Sequence, residues 1–116
     1  MRYTVERTRA TDRDLATIFD FLIESYVSFG DDEYAASGRA AKRMRTIHAA
    51  MQLLAGAPHQ GTLLPNLRPD LRSVTKDDAV FYFEVDDDRR TIRVLAILLS
   101  KQDHRRLMLK RLRGKH

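Results

Sequence analysis

The amino-acid sequence contains no cysteine, and this absence excludes several classes of site at once. A chain without thiols forms no disulfide, iron–sulfur cluster or thiolate zinc site and offers no cysteine nucleophile. No stretch approaches the ~20 apolar residues that span a bilayer, and residues 1–7 lack the apolar core of a secretory signal. We therefore expect a cytoplasmic protein with no membrane partner.

The common catalytic motifs are also missing. The sequence has no glycine-rich phosphate loop, no HExxH pair and no nucleophile elbow. The histidines lie far apart without the spacing of metal ligands; they are His48, His59, His104 and His116. The paired acids at 77–78 and 86–88 are typical of turns rather than of catalysis. We expect no metal and no cofactor.

Positive charge is concentrated at the end of the chain. Residues 101–116 carry seven lysines and arginines against one aspartate, whereas residues 1–100 carry 14 basic and 15 acidic side chains. The body is thus close to neutral, and the C-terminal segment is strongly basic. Such asymmetry indicates a polyanionic partner, either nucleic acid or an acidic protein segment.

Apolar spacing predicts two long helices. Thr11 and Asp14 resemble a capping box that opens the first helix, whose apolar stripe ends at Gly30. The second helix should run from about Glu33 to Ala55, after an Asp31-Asp32 connector and cap. Its core-facing seam is Ala40, Met44, Ile47, Met51 and Leu54. The cations on its opposite face are predicted to be solvated; they are Arg39, Lys42, Arg43 and Arg45.

Strand patterns fill most of the remaining chain. A short strand starts at Tyr3, and three more are predicted at 71–76, 80–85 and 91–99. Aspartate turns separate the last three, which predicts an antiparallel meander, and 57–69 is a connecting loop that contains all three prolines. The basic segment 101–113 is compatible with a short helix. We expect one α+β domain over residues 1–116, with the order β-α-α-β-β-β and a helical hairpin packed on a small, mainly antiparallel sheet.

Basic residues on the strands and in the C-terminal segment suggest one kind of catalysis. A metal-independent ribonuclease must activate a 2′-hydroxyl, offset charge on the phosphate and protonate the leaving oxygen. Arg72 could neutralise the phosphate, and His104 could serve as the acid or base. The alternative is that Arg72 pairs with a neighbouring acid or lies at the sheet edge.

The whole pattern resembles the RelE/ParE toxin superfamily. The resemblance rests on the element order, the Pro58–Gly61 loop, the Leu71-Arg72 step into a strand, and the strands at 80–85 and 92–98. It covers residues 3 to about 109. It implies a toxin of a bacterial type II toxin–antitoxin module, held inactive by a cognate antitoxin.

The resemblance implies two different activities, one for each branch of the superfamily. RelE-like members cleave messenger RNA on the ribosome, whereas ParE-like members inhibit DNA gyrase by binding it and are not enzymes. Residues 100–108 contain no tyrosine for a ribonuclease site, and the loop before Leu71 offers only Arg68 instead of a lysine cluster. The long helical hairpin also favours the ParE-like branch. We predict a gyrase inhibitor; the alternative is a metal-independent, ribosome-associated endoribonuclease with Arg72 and His104 as its catalytic residues.

Two binding surfaces follow from this interpretation. The residues expected to contact the target are Lys101, His104, Arg105, Arg106, Lys110 and Arg111. An antitoxin segment is expected to add a helix or strand to an apolar surface formed by Leu15, Phe19, Leu22 and Leu99, with acidic residues meeting the basic segment. A third interpretation is a plain nucleic-acid-binding module with steep salt dependence. The oligomeric state is left open.

Overall fold

The computed structural model describes residues 2–114 and contains five strands and three α-helices. The elements in chain order are β1 (Thr4–Arg7), α1 (Arg9–Ser28), α2 (Glu33–Leu53), a 3-10 turn (Leu54–Gly56), β2 (Thr62–Leu63), β3 (Leu71–Lys76), β4 (Ala79–Asp86), β5 (Thr91–Leu99) and α3 (His104–Arg113). The predicted α+β class and helical hairpin are confirmed. The short β2 lies within the segment that was predicted to be a loop.

The five strands form one mixed sheet in the order β1-β5-β4-β3-β2. β4 runs antiparallel to β5 along its whole length, while β1 runs parallel to β5 and pairs only with Thr91 to Val94. The register shifts between Tyr82 and Phe83, so Leu95 has no partner in β4. Beyond Val94, therefore, β5 has a neighbouring strand on one side only.

α1 begins one turn earlier than predicted, so the capping box at Thr11 and Asp14 is wrong. The Thr8 side chain accepts a hydrogen bond from the Thr11 backbone N–H and caps the helix. Thr11 is fully buried inside the helix, and its hydroxyl donates to the Val94 carbonyl at 2.8 Å. Thr11 and Asp14 therefore form contacts between α1 and β5 and do not mark the start of the helix.

α2 packs as its apolar seam predicts. Asp32 caps it by accepting from the Ala35 N–H. Ala40, Ile47 and Met51 are almost fully buried, and the predicted final turn, up to Ala55, becomes 3-10 helix after Leu53. α1 and α2 connect through Gly30, whose φ of +114° suits the residue that follows a helix C-terminus.

The two faces of the sheet are covered by different elements. On one face, the α1–α2 hairpin packs against alternate strand residues such as Phe81, Phe83 and Ile97. On the other face, Tyr82, Leu95 and Leu98 pack with Met108 of α3 and with leucines of the 57–70 loop. None of the helices between residues 2 and 114 is long and apolar enough to cross a membrane.

Candidate functional site

An apolar groove lies between α1 and the chain that follows β5. It encloses about 640 Å³. Its walls include Phe21 and Phe29, which are 52% and 88% exposed, and its rim carries Lys101. We call this surface the α1 groove; its main lining residues are Thr17, Ile18, Phe21, Leu22, Phe29, Leu99, Lys101 and Gln102.

Two of the four residues predicted to bind an antitoxin line this groove. Leu22 and Leu99 form its floor, each 8% exposed. Leu15 is a core residue, and Phe19 is partly buried against the same core. The predicted set did not include Phe21, which lines the groove and lies off the buried stripe of α1. A large aromatic side chain off the core-facing stripe was the available signal, because such residues often mark an interaction surface.

α3 presents its cations on the side that faces away from the sheet. Asp103 caps the helix by accepting from the Arg106 N–H. Met108, on the opposite side of α3, is 1% exposed and packs in the core between α3 and the sheet. The exposed cations, which we call the α3 basic face, are Arg105, Arg106, Lys110 and Arg113.

His104 has an internal role at the start of α3. Its Nε2 lies 2.8 Å from the Leu99 carbonyl oxygen, and its Nδ1 lies 2.8 Å from the Tyr82 hydroxyl. A carbonyl only accepts, so Nε2 carries a proton, and in that tautomer Nδ1 accepts from the Tyr82 hydroxyl. Burial raises the pKa of Tyr82, which keeps that hydroxyl protonated. The ring is thus engaged on both sides, not free to meet a target.

Arg111 also points inward, although it was predicted to contact a target. Its guanidinium forms two hydrogen bonds with the Asp14 carboxylate, at 2.7 and 2.9 Å, and a third with the Leu95 carbonyl at 2.7 Å. The second Asp14 oxygen also accepts from the Ile97 N–H at 3.0 Å. The bond to Asp14 raises the pKa of Arg111. This pair therefore supplies the hydrogen bonds that a sixth strand would give to β5.

Arg72 and His104 lie on opposite faces of the sheet. Arg72 pairs in register with Phe83, so its side chain is on the face that the helical hairpin covers. There it donates to the His59 carbonyl at 2.7 Å. His104 contacts Tyr82, which belongs to the other face. The structure does not bring the two predicted catalytic residues into one site.

On the sheet face opposite the helical hairpin, the uncovered part is rich in acidic residues. Glu6, Arg93 and Glu84 lie side by side across β1, β5 and β4, and Arg68 pairs with Glu84 at 3.2 Å. The groove at this end has about 540 Å³. Its charged lining residues are Glu6, Asp70, Glu84, Asp86, Asp87, Asp88, Arg89 and Arg93. Such a surface repels a phosphate backbone rather than attracting it.

A polar cluster joins the start of the chain to the β4–β5 turn. Asp87 accepts from the Tyr3 hydroxyl at 2.6 Å and lies 2.8 Å from Nε2 of His59. The hydrogen bond from Tyr3 and the neighbouring His59 lower the pKa of Asp87, and the same contact raises the pKa of Tyr3. The carboxylate and imidazole are both more than half exposed. Within residues 2–114 no group of three or more histidine or acidic side chains could hold a metal ion.

Comparison with known proteins gives a match in fold only. No family model and no curated protein matches this chain. A chain of the chromosomal ParDE TA system from P. aeruginosa is similar over 86% of this chain and 98% of its own length, with a TM-score of 0.64 and 22% identity. A chain of the toxin–antitoxin complex RelBE2 from Mycobacterium tuberculosis is similar over 85% and 92%, with a TM-score of 0.55 and 17% identity. Both matches are similarities of fold, and they agree with the fold that the resemblance seen in the sequence implies.

Proposed function

We propose that this chain is the toxin of a type II toxin–antitoxin module and that it inhibits DNA gyrase by binding it. The similarity to a ParDE chain over nearly that chain's full length supports the toxin assignment. The observation that carries the choice of target is the separation of Arg72 and His104 on opposite faces of the sheet. A general acid or base must reach the same phosphate as the group that neutralises it, so these two residues cannot serve one ribonuclease site.

Electrostatics support the same choice. A ribonuclease site on the sheet face opposite the helical hairpin would bring the RNA backbone beside Glu6, Glu84 and Asp70. Acidic residues outnumber basic residues in the lining of this groove. The one cation of the 57–70 loop, Arg68, is already paired with Glu84. Four exposed basic residues are instead grouped on one side of α3. A protein that acts by docking requires an exposed surface and no assembled catalytic group.

The test of this target uses purified toxin in two assays. Inhibition of supercoiling, or trapping of cleaved DNA, with translation unaffected is the expected result. Unaffected gyrase at saturating toxin would refute the proposal. Cleavage of mRNA on programmed ribosomes that persists in chelator, and is lost in Arg72→Ala, would establish the ribonuclease alternative instead.

We further propose that the α1 groove binds the cognate antitoxin. The groove is apolar and elongated along α1, as expected for a site that receives the apolar face of an amphipathic helix. The charged residues that line it are Lys101, Arg43 and Asp78, so its net charge is positive and favours acidic residues on that helix. Burial of Phe21 and Phe29 would contribute most of the affinity, because exposed aromatics that become buried dominate such interfaces.

The antitoxin site can be tested by co-expression with the neighbouring open reading frame. Phe21→Ser/Phe29→Ser should abolish co-purification, whereas Leu53→Ser is the matched control. Leu53 is 65% exposed but does not line the groove. Co-purification that survives the double substitution, or that the control also loses, would show that the antitoxin binds elsewhere.

A further inference from the structure

We propose that the α3 basic face binds duplex DNA through its phosphates, without reading base sequence. This goes beyond the proposed function, because such binding requires neither gyrase nor an antitoxin. The observation behind it is that four cations of a ten-residue helix share its solvent-exposed side while the other side is anchored to the sheet. Among the described residues, only Arg106 of these four cations has an acidic partner, and Leu109 is the one large exposed apolar side chain on the helix.

The cations form one continuous stripe. At 100° per residue, Arg105, Arg106, Lys110 and Arg113 fall within about 140° of the helix circumference, and they extend over about 12 Å of its axis. The helix is held in place by Met108 and by the Arg111 pair with Asp14. The stripe is therefore presented on a fixed support, so little ordering of the backbone is needed on binding.

These cations have little intramolecular competition. Within the described part of the chain, Arg105, Lys110 and Arg113 form no ion pair. Arg106 pairs with Asp103 at 3.4 Å, but both side chains are more than 60% exposed. Exposed pairs of this kind contribute about 0–1 kcal/mol. A row of phosphates can replace that contact at low cost.

The composition of the face favours DNA over a protein partner. Protein interfaces have an apolar or aromatic centre and are depleted in lysine. The α3 basic face lacks such a centre, because Leu109, at 40% exposure, is the one large apolar side chain exposed on α3. Protein–DNA interfaces are more polar and much more positively charged. α3 contains no Phe, Tyr or Trp on which single-stranded bases could stack, and the ring of His104 is already hydrogen-bonded to Tyr82 and Leu99. The major groove of B-DNA admits a helix, whereas that of duplex RNA does not.

Fluorescence anisotropy with a labelled DNA duplex of about two helical turns tests the proposal. Each phosphate contact contributes about −0.9 to the slope of log K against log salt, so four contacts give a slope of roughly −3.6. Arg105→Gln/Lys110→Gln should make that slope shallower by about 1.8. Lys42→Gln/Arg45→Gln on α2 is the matched control, since it removes the same charge from exposed helix positions. The control should retain the wild-type slope.

Several outcomes would overturn the proposal. These are undetectable binding at low salt, an equal loss in the α2 control, and affinity for a single strand or an RNA duplex that equals the affinity for duplex DNA. Competition by polyglutamate that matches the duplex, charge for charge, would assign the face to an acidic protein instead. Loss of helix content in the α3 variant is checked by circular dichroism, and the single variants Arg105→Gln and Lys110→Gln then carry the test. Duplex binding without inhibition of supercoiling would refute the proposed target but not this inference.

Discussion

The ion pair between Asp14 and Arg111 should be the most important polar contact between α1 and α3. The two side chains are 10% and 20% exposed. They also satisfy the backbone of β5 at Leu95 and Ile97, on the side where no strand adjoins it. Asp14→Ala therefore leaves a mostly buried guanidinium without its counter-ion and an edge N–H without its acceptor.

The expected cost follows from these two losses. Removal of one partner from a buried ion pair costs about 3–5 kcal/mol, and the residual exposure of this pair favours the lower end, about 3 kcal/mol. Arg111→Met should cost less, about 2 kcal/mol, because Asp14 still accepts from Ile97. The coupling energy in a double-mutant cycle should be about 1.5–3 kcal/mol, as for hydrogen bonds between charged groups.

Urea unfolding followed by circular dichroism measures all four corners of this cycle. The control is a second cycle that also involves α1, Asp12→Ala with Arg7→Met of β1, since that pair has a 3.2 Å contact but is 56% and 40% exposed. Its coupling should be below about 0.5 kcal/mol. Amide exchange of Ile97 should accelerate in Asp14→Ala. Additive effects at Asp14 and Arg111, or equal coupling in both cycles, would refute the reasoning.

Four further substitutions test other parts of the structure. Tyr3→Phe should raise the pKa of Asp87, measured by carboxyl NMR, because the Tyr3 hydroxyl lowers that pKa in the folded protein. The contacts of Asp87 therefore stabilise the fold at pH values above the pKa of Asp87 in the unfolded chain. This stabilisation is lost as the pH falls through the pKa of Asp87 in the folded protein. An unchanged titration would contradict this. Gly38→Ala should stabilise α2 by about 0.5–1 kcal/mol. Gly61→Ala should destabilise the protein, because Gly61 has φ +84° and an added Cβ would strike a carbonyl of β3. Chemical denaturation that finds Gly61→Ala more stable than Gly38→Ala would contradict both expectations. His104→Ala should cost about 1–3 kcal/mol by leaving the hydroxyl of the buried Tyr82 without its partner, without changing the salt dependence of duplex binding. A shallower slope would make His104 a ligand-contacting residue.

Sequence patterns predicted the strands well because burial and turns act locally. The aspartate pairs and the alternation of apolar residues predict β3 and β5 with the same bounds that the structure has. The start of α1 was missed because Thr8 and Thr11 are both suitable caps in a local pattern. The choice between them depends on Val94 and Ile97, which lie 83 residues away from the side chains they contact.

The candidate site was harder to predict for a similar reason. Charge alone does not tell an exposed arginine from one that satisfies the sheet edge, so Arg111 and Lys110 are equivalent in the sequence. Their roles differ because α3 places Arg111 toward Asp14 and Lys110 toward solvent. Likewise, a basic strand residue such as Arg72 gives no indication of which face it will occupy until the register with β4 is known.

The same edge of β5 connects the two proposed binding surfaces. Leu99 lies on the floor of the α1 groove, its N–H donates to Gln102 at 2.7 Å, and its carbonyl accepts from His104 at the start of α3. The contacts that position α3 are thus buried or half-buried, whereas the groups proposed to meet partners are exposed. Substitution of Phe21 or Lys110 removes a partner contact and leaves this framework intact, but substitution of Arg111 or His104 weakens the framework itself. Loss of activity in a variant of the inward-facing residues is therefore evidence about folding, and only the outward-facing residues report on binding.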